Sequence, residues 1–148
     1  MPDFAQQIEI RLHALQLSPE LLQETVGHLI SHVEPDAVQR ALQAAATGGV
    51  IGLPTETVYG LAALAKDRVA VARVFEIKGR PSDHPVIVHV AGPTDLRNWG
   101  KGVADYAVRL AEGLWPGPLT LVVPAADDVP RYLTGGQDTV GLRCPAHP

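Results

Sequence analysis

The stretch DRVAVARVFEIKGRPSDHPVIVHV, residues 67–90, decides the fold. Its first half predicts a helix over 67–78, with Val71, Val74, Phe75 and Lys78 on one side. Gly79 ends that helix, because glycine enters left-handed backbone at no steric cost. The second half, PVIVHV (85–90), is a nearly continuous run of β-branched residues. Such a run predicts a strand of the kind usually covered on both faces. A helix that turns back into a buried strand is the working unit of an α/β sheet.

The same alternation extends in both directions. Upstream, VIGLP (50–54) fits a short buried strand, and TETVYGLAALA reads as a turn entering a helix. Downstream come a helix over 105–114, a strand at LTLVV (119–123), a loop over 124–138 and a last strand at TVGLR (139–143). Before residue 50 the pattern is helical. Phe4, Ile8, Leu12 and Leu15 mark a helix over 3–16, and Ser18 with Pro19 starts a second one. A third, alanine-rich helix runs from Pro35 to Thr47 and stops at Gly48-Gly49. The expectation is an α/β domain over 34–148 behind a short helical extension over 1–33.

Composition sets outer bounds. With 148 residues, 46% hydrophobic and 19% charged, the chain suits one domain with a real core. The lone cysteine, Cys144, cannot form an intramolecular disulfide, which points to a reducing compartment. No apolar run reaches the ~18 residues a membrane span needs, and the N-terminus lacks a signal-peptide pattern. A cytoplasmic location with no membrane partner is expected. The net charge of −4 is uneven: residues 1–36 hold six acids and one base, whereas 66–80 hold five bases and two acids. A cationic patch on an acidic chain suits an anionic ligand, or is simply a solvated helix face.

Four stretches carry chemistry. LPTETVYG (53–60) gathers three hydroxyls (Thr55, Thr57, Tyr59) and one carboxylate at a strand end, where α/β sheets bind ligands. A helix N-cap beside a buried tyrosine explains it equally well. Lys78 and Arg80 flank Gly79, and a break there lets both cations converge on phosphates; compensation of the helix dipole is the plainer alternative. WPGPLTLVV (115–123) fixes a tight bend before a strand. In TVGLRCP (139–145), Thr139 and Arg143 lie four apart and so share a strand face, which suits a carboxylate or phosphate clamp or a surface ion pair. No phosphate-binding glycine loop and no metal-ligand spacing appears, and Cys144 reads as a structural thiol.

Taken in order and spacing, GLPTETVYGL, VFEIKGRPSDHPVIVHV, WPGPLTLVV and TVGLRCPAHP resemble the YrdC-like family of threonylcarbamoyl-AMP synthases. The resemblance covers residues 34–148. It implies a twisted mixed β-sheet flanked by helices, with a positively lined groove. It implies an enzyme that joins L-threonine, bicarbonate and ATP into L-threonylcarbamoyladenylate, releasing pyrophosphate with the help of Mg²⁺. A partner protein then transfers the group to tRNA. The resemblance places Thr57, His89 and Arg143 at the threonine, and Lys78, Arg80, His84 and Thr139 along the ATP. It names no catalytic general base. The family pattern also contains a serine-x-asparagine motif beyond the last strand. The sequence stops before it, so a C-terminally incomplete domain is expected, and Leu64 stands where the family often has aspartate. The rivals are a module holding double-stranded RNA or tRNA without chemistry, a carbamoyl-adenylate domain of hydrogenase-maturation type, and a non-catalytic remnant.

Overall fold

The computed structural model describes residues 35–146. The helices expected over 3–33 lie outside the described residues. The chain divides into two compact units: one holds 35–54 and 59–80, the other 55–58 and 81–146.

The first unit opens with α1 (Pro35–Ala46). Its end is tied by the Thr47 hydroxyl, which donates to the carbonyls of Gln43 and Ala44, and Gly48 then turns the chain at a φ of 78°. Next comes β1 (Ile51–Leu53), paired antiparallel with β2 (Gly60–Ala62) so that Ile51 faces Ala62. The stretch after Thr55 is therefore a strand where the sequence pointed to a helix. Gly60 costs a helix about 1 kcal/mol relative to alanine, and the ladder offered by β1 satisfies the same backbone groups.

α2 (Arg68–Lys78) starts as its sequence dictates. The Asp67 carboxylate accepts from the amides of Val69 and Ala70 at 3.0 and 3.1 Å, a cap worth about 1 kcal/mol. Gly79 closes the helix at φ 59°, and the Arg80 amide donates back to the Phe75 carbonyl. The buried side sets Val74 and Ile77 against Val50, with Leu61 and Ala63 packed on them.

The second unit is a mixed three-stranded sheet with helices. Its strands are β3 (Ile87–His89), β4 (Leu121–Pro124) and β5 (Thr139–Arg143). Its helices are the short α3 (Leu96–Trp99), preceded by a 3₁₀ turn, α4 (Asp105–Leu114) and α5 (Arg131–Thr134). α5 occupies part of what reads in the sequence as loop. The strand order is β3-β5-β4: β5 runs parallel to β3 and antiparallel to β4. The bend before β4 is held by the Trp115 indole, which donates to the Leu119 carbonyl at 2.8 Å. After α5, Gly135 adopts φ 60° where any side chain would collide with the backbone of Asp83 and Pro85.

Alternation sorts the sheet into two faces. Val88, Val123, Val140 and Leu142 are buried on one. Burial at this depth is worth about 1.5–3 kcal/mol for each large aliphatic side chain. Ile87, His89, Val122, Thr139, Gly141 and Arg143 occupy the other face. There Ile87 is 51% and Val122 67% exposed. The expectation that PVIVHV is covered on both sides thus fails. Among the described residues β3 is an outer strand with one covered face, and His89 belongs to the open one.

Candidate functional site

Strand register builds the centre of the site. In the parallel ladder His89 stands opposite Arg143, and Ile87 stands opposite Gly141. Thr139 and Arg143 project from the same face of β5, with only Gly141 between them. The loop over 55–58, within the same unit, supplies the remaining groups. Thr55 shapes it: its hydroxyl donates to the Val58 carbonyl at 2.5 Å and accepts from the Val58 amide at 3.1 Å. That turn delivers Glu56 and Thr57 to Arg143.

Arg143 Nη2 donates to Thr57 Oγ1 at 2.9 Å and also to Glu56 Oε1. The second Glu56 oxygen accepts from the Ala146 amide at 2.9 Å. The two side chains are only 12% (Arg143) and 20% (Glu56) exposed. Arg143 Nε is buried and has no hydrogen-bond partner among the described residues. A covered guanidinium with an unsatisfied donor is the residue type and state that a carboxylate or phosphate would complete. Burial pushes the Glu56 carboxyl up, but the hydrogen bonds from Arg143 and from backbone amides, with the guanidinium charge, outweigh it. The group is held below the usual carboxylate range, so the ion pair persists at neutral pH and is lost as acid takes the pH through that lowered pKa.

His89 is exposed in total area, yet the protein around its ring desolvates it, and the Arg143 charge adds to the effect. Both push the imidazole pKa down; Glu56 opposes them more weakly. The ring is therefore neutral at neutral pH and can accept a hydrogen bond. Its depressed pKa has a definite sign for stability. The unfolded chain takes up the proton first as pH falls, so the folded state loses stability from the ordinary histidine range down to the lowered pKa. His89→Gln is expected to flatten the loss of stability as pH falls from neutral through and below the ordinary histidine range, read as urea midpoints along a pH series.

The other expected residues are placed as follows. His84 is exposed and lies 3.3 Å from Asp83. The Thr139 hydroxyl is 3.5 Å from the Gln137 side chain, at the limit of a hydrogen bond. Lys78 and Arg80 belong to the first unit, on either side of the left-handed Gly79. Partial burial, then the Arg80 charge, push the Lys78 ammonium below its usual range. The two cations are thus near enough to repel, and neither has an ion-pair partner among the described residues. Cys144 is buried and its thiol pKa is raised, mainly by that burial. The residue that sequence reading passed over is Glu56. Nothing local signalled it: the stretch read as a turn entering a helix, where a carboxylate caps, and its two donors lie 87 and 90 positions away.

The profile of the Sua5/YciO/YrdC family, described as telomere recombination, matches residues 43–148. The threonylcarbamoyl-AMP synthase of Pyrococcus abyssi is 53% identical over 100 residues, covering 68% of this chain and 29% of its own. That of Bacillus subtilis is 46% identical over 101 residues, covering 67% and 29%. That of Xanthomonas axonopodis pv. citri is 42% identical over 113 residues, covering 75% and 60%. The chain spans under a third of the first two relatives and three-fifths of the third. Among solved structures, P. abyssi Sua5 complexed with L-threonine superposes with a TM-score of 0.76 at 46% identity, over 81% of this chain and 36% of that one. Escherichia coli YciO gives 0.68 at 27% identity, over 76% and 55%.

Proposed function

The chain belongs to the Sua5/YciO/YrdC family, and from that premise we propose that it forms L-threonylcarbamoyladenylate and pyrophosphate from L-threonine, bicarbonate and ATP. In this reading residues 34–148 are the synthase domain and 1–33 an extension. The product passes to a partner protein that modifies tRNA. One observation carries the reading: Arg143 meets Thr57 across 86 positions of sequence, on the open sheet face that His89 shares. A cation, a hydroxyl and a neutral imidazole match the carboxylate, amino group and side-chain hydroxyl of a small amino acid.

The roles follow from charge and position. Arg143 takes the threonine carboxylate, while Thr57 and His89 orient the rest of the amino acid. Lys78 and Arg80 answer the phosphates, where attack by the carbamate oxygen builds negative charge on the α-phosphoryl group and the departing pyrophosphate. His84 and Thr139 are assigned to the nucleotide. A carbamate decomposes readily, so holding threonine beside the nucleotide is a large part of the catalytic task. Among the described residues no cluster of His, Cys, Asp or Glu is arranged to hold a metal ion. In this reading Mg²⁺ enters as the ion that ATP carries, and would supply further charge neutralisation on the phosphates.

The test is pyrophosphate release by the 148-residue chain, with ATP and Mg²⁺. Release is expected only when threonine and bicarbonate are both present. A folded sample that releases none, or that releases it without threonine, overturns the synthase reading; RNA titration at two salt concentrations then tests the binding module.

A further inference from the structure

Both groups that Glu56 binds are donors: the Arg143 guanidinium on one oxygen and the Ala146 amide on the other. Only a group with two acceptor atoms satisfies both. A carboxylate does, whereas an amide of the same shape presents one acceptor and one donor. Glu56 thereby joins the loop over 55–58 to the chain just beyond β5, through both a side chain and the main chain. The guanidinium is fixed by these contacts and by Thr57, and rotation about the long arginine stem is suppressed. The carboxylate also cancels the guanidinium charge in a place where both side chains are largely covered.

We propose that Glu56 is the positioning and specificity residue of the amino-acid site. It holds Arg143 in its binding geometry and balances its charge, so that the site takes a zwitterionic α-amino acid and disfavours the corresponding monoanion. The inference rests on the threonine reading given above. The charge argument is simple. An unbalanced, desolvated arginine attracts any carboxylate, and a hydroxy acid with no amino group would satisfy it. Once Glu56 has neutralised it, a net anion brings an uncompensated charge into the site, while a zwitterion brings none. The geometry argument is separate. Glu56 holds the fork, so its loss should weaken carboxylate recognition even where total charge is kept.

Two variants separate these contributions, with calorimetric binding of L-threonine and of 2,3-dihydroxybutanoate, in which a hydroxyl replaces the amino group, as the readout. Circular dichroism serves as the folding control. In Glu56→Gln the charge is gone and a donor faces a donor. Threonine affinity is expected to fall about 10- to 100-fold, and the preference for threonine over the hydroxy acid to fall at least about tenfold. In Glu56→Asp the charge stays but the side chain is one methylene short of spanning both donors. Threonine affinity is expected to fall about tenfold with the preference retained. In turnover, the threonine KM should rise in both variants while the ATP KM holds. If the wild type binds threonine and either folded variant keeps wild-type affinity, the inference is overturned and the threonine site stands. If the wild-type chain binds no threonine, both fall together. Should Glu56→Gln not fold, Glu56→Asp alone decides the positioning role.

Discussion

Replacing Arg143 with alanine is expected to weaken L-threonine binding about 100- to 1000-fold while leaving ATP binding within about twofold. The size follows from the state of the side chain. It is 12% exposed, its Nε has no partner among the described residues, and its charge is held between the loop over 55–58 and the open sheet face. A carboxylate that meets such a group gains a desolvated, charge-assisted contact. Removing the arginine forfeits that contact and leaves Glu56 facing the incoming carboxylate. Arg143→Lys should fall between, since lysine keeps a point charge and loses the planar fork. Arg109→Ala, an exposed change on α4, should match wild type and serves as the control. Threonine and ATP affinities measured separately by calorimetry check the split. Equal losses for both ligands would remove Arg143 from the amino acid.

The second large effect belongs to Lys78 and Arg80. Alanine at either position is expected to weaken ATP binding about 10- to 100-fold, with threonine binding nearly unchanged. Burial first, and the Arg80 charge second, push the Lys78 pKa down, and neither cation has an acid paired to it among the described residues, so a phosphate chain would offset both effects. Each substitution should also flatten the salt dependence of ATP affinity. Because Lys78 titrates below the ordinary lysine range, wild-type affinity should begin to drop at a lower pH on the alkaline side than an ordinary lysine would give. That early drop should vanish in Lys78→Ala. A pair of variants that lose threonine as strongly as ATP would separate these cations from the phosphates.

What could be read in advance followed the range of the forces involved. Helix 68–78 was legible because its punctuation is local: Asp67 caps one end and Gly79 the other. β5 was legible because its alternation is clear, and the shared face of Thr139 and Arg143 followed from it. The hairpin of β1 and β2 was not. Gly60, Leu61 and Ala62 carry no strand preference of their own, and the partners that make them a strand lie seven to eleven positions back, at Leu53 to Ile51 in reverse order. The open face of β3 was missed for the same reason. A β-branched run says strand, but neighbours decide how many faces are covered. At the site, residue types were visible and their meeting was not. Nothing local to Thr57 announces Arg143, and Glu56 looked like an ordinary turn acid until its two donors were located.

The two-faced character of β5 has one more consequence. Leu142 and Arg143 are neighbours whose destinations are opposite, and the same ladder assigns both. A pairing error of one residue would turn the leucine outward and drive the arginine in among Val88 and Val123. The strand therefore carries its own proofreading. A wrongly zipped molecule buries a charge, sheds its core contact and loses the contacts of Arg143 with Glu56 and Thr57 all at once. Under the proposed threonine reading, ligand binding would then report correct assembly of this sheet, and misregistered copies would not bind.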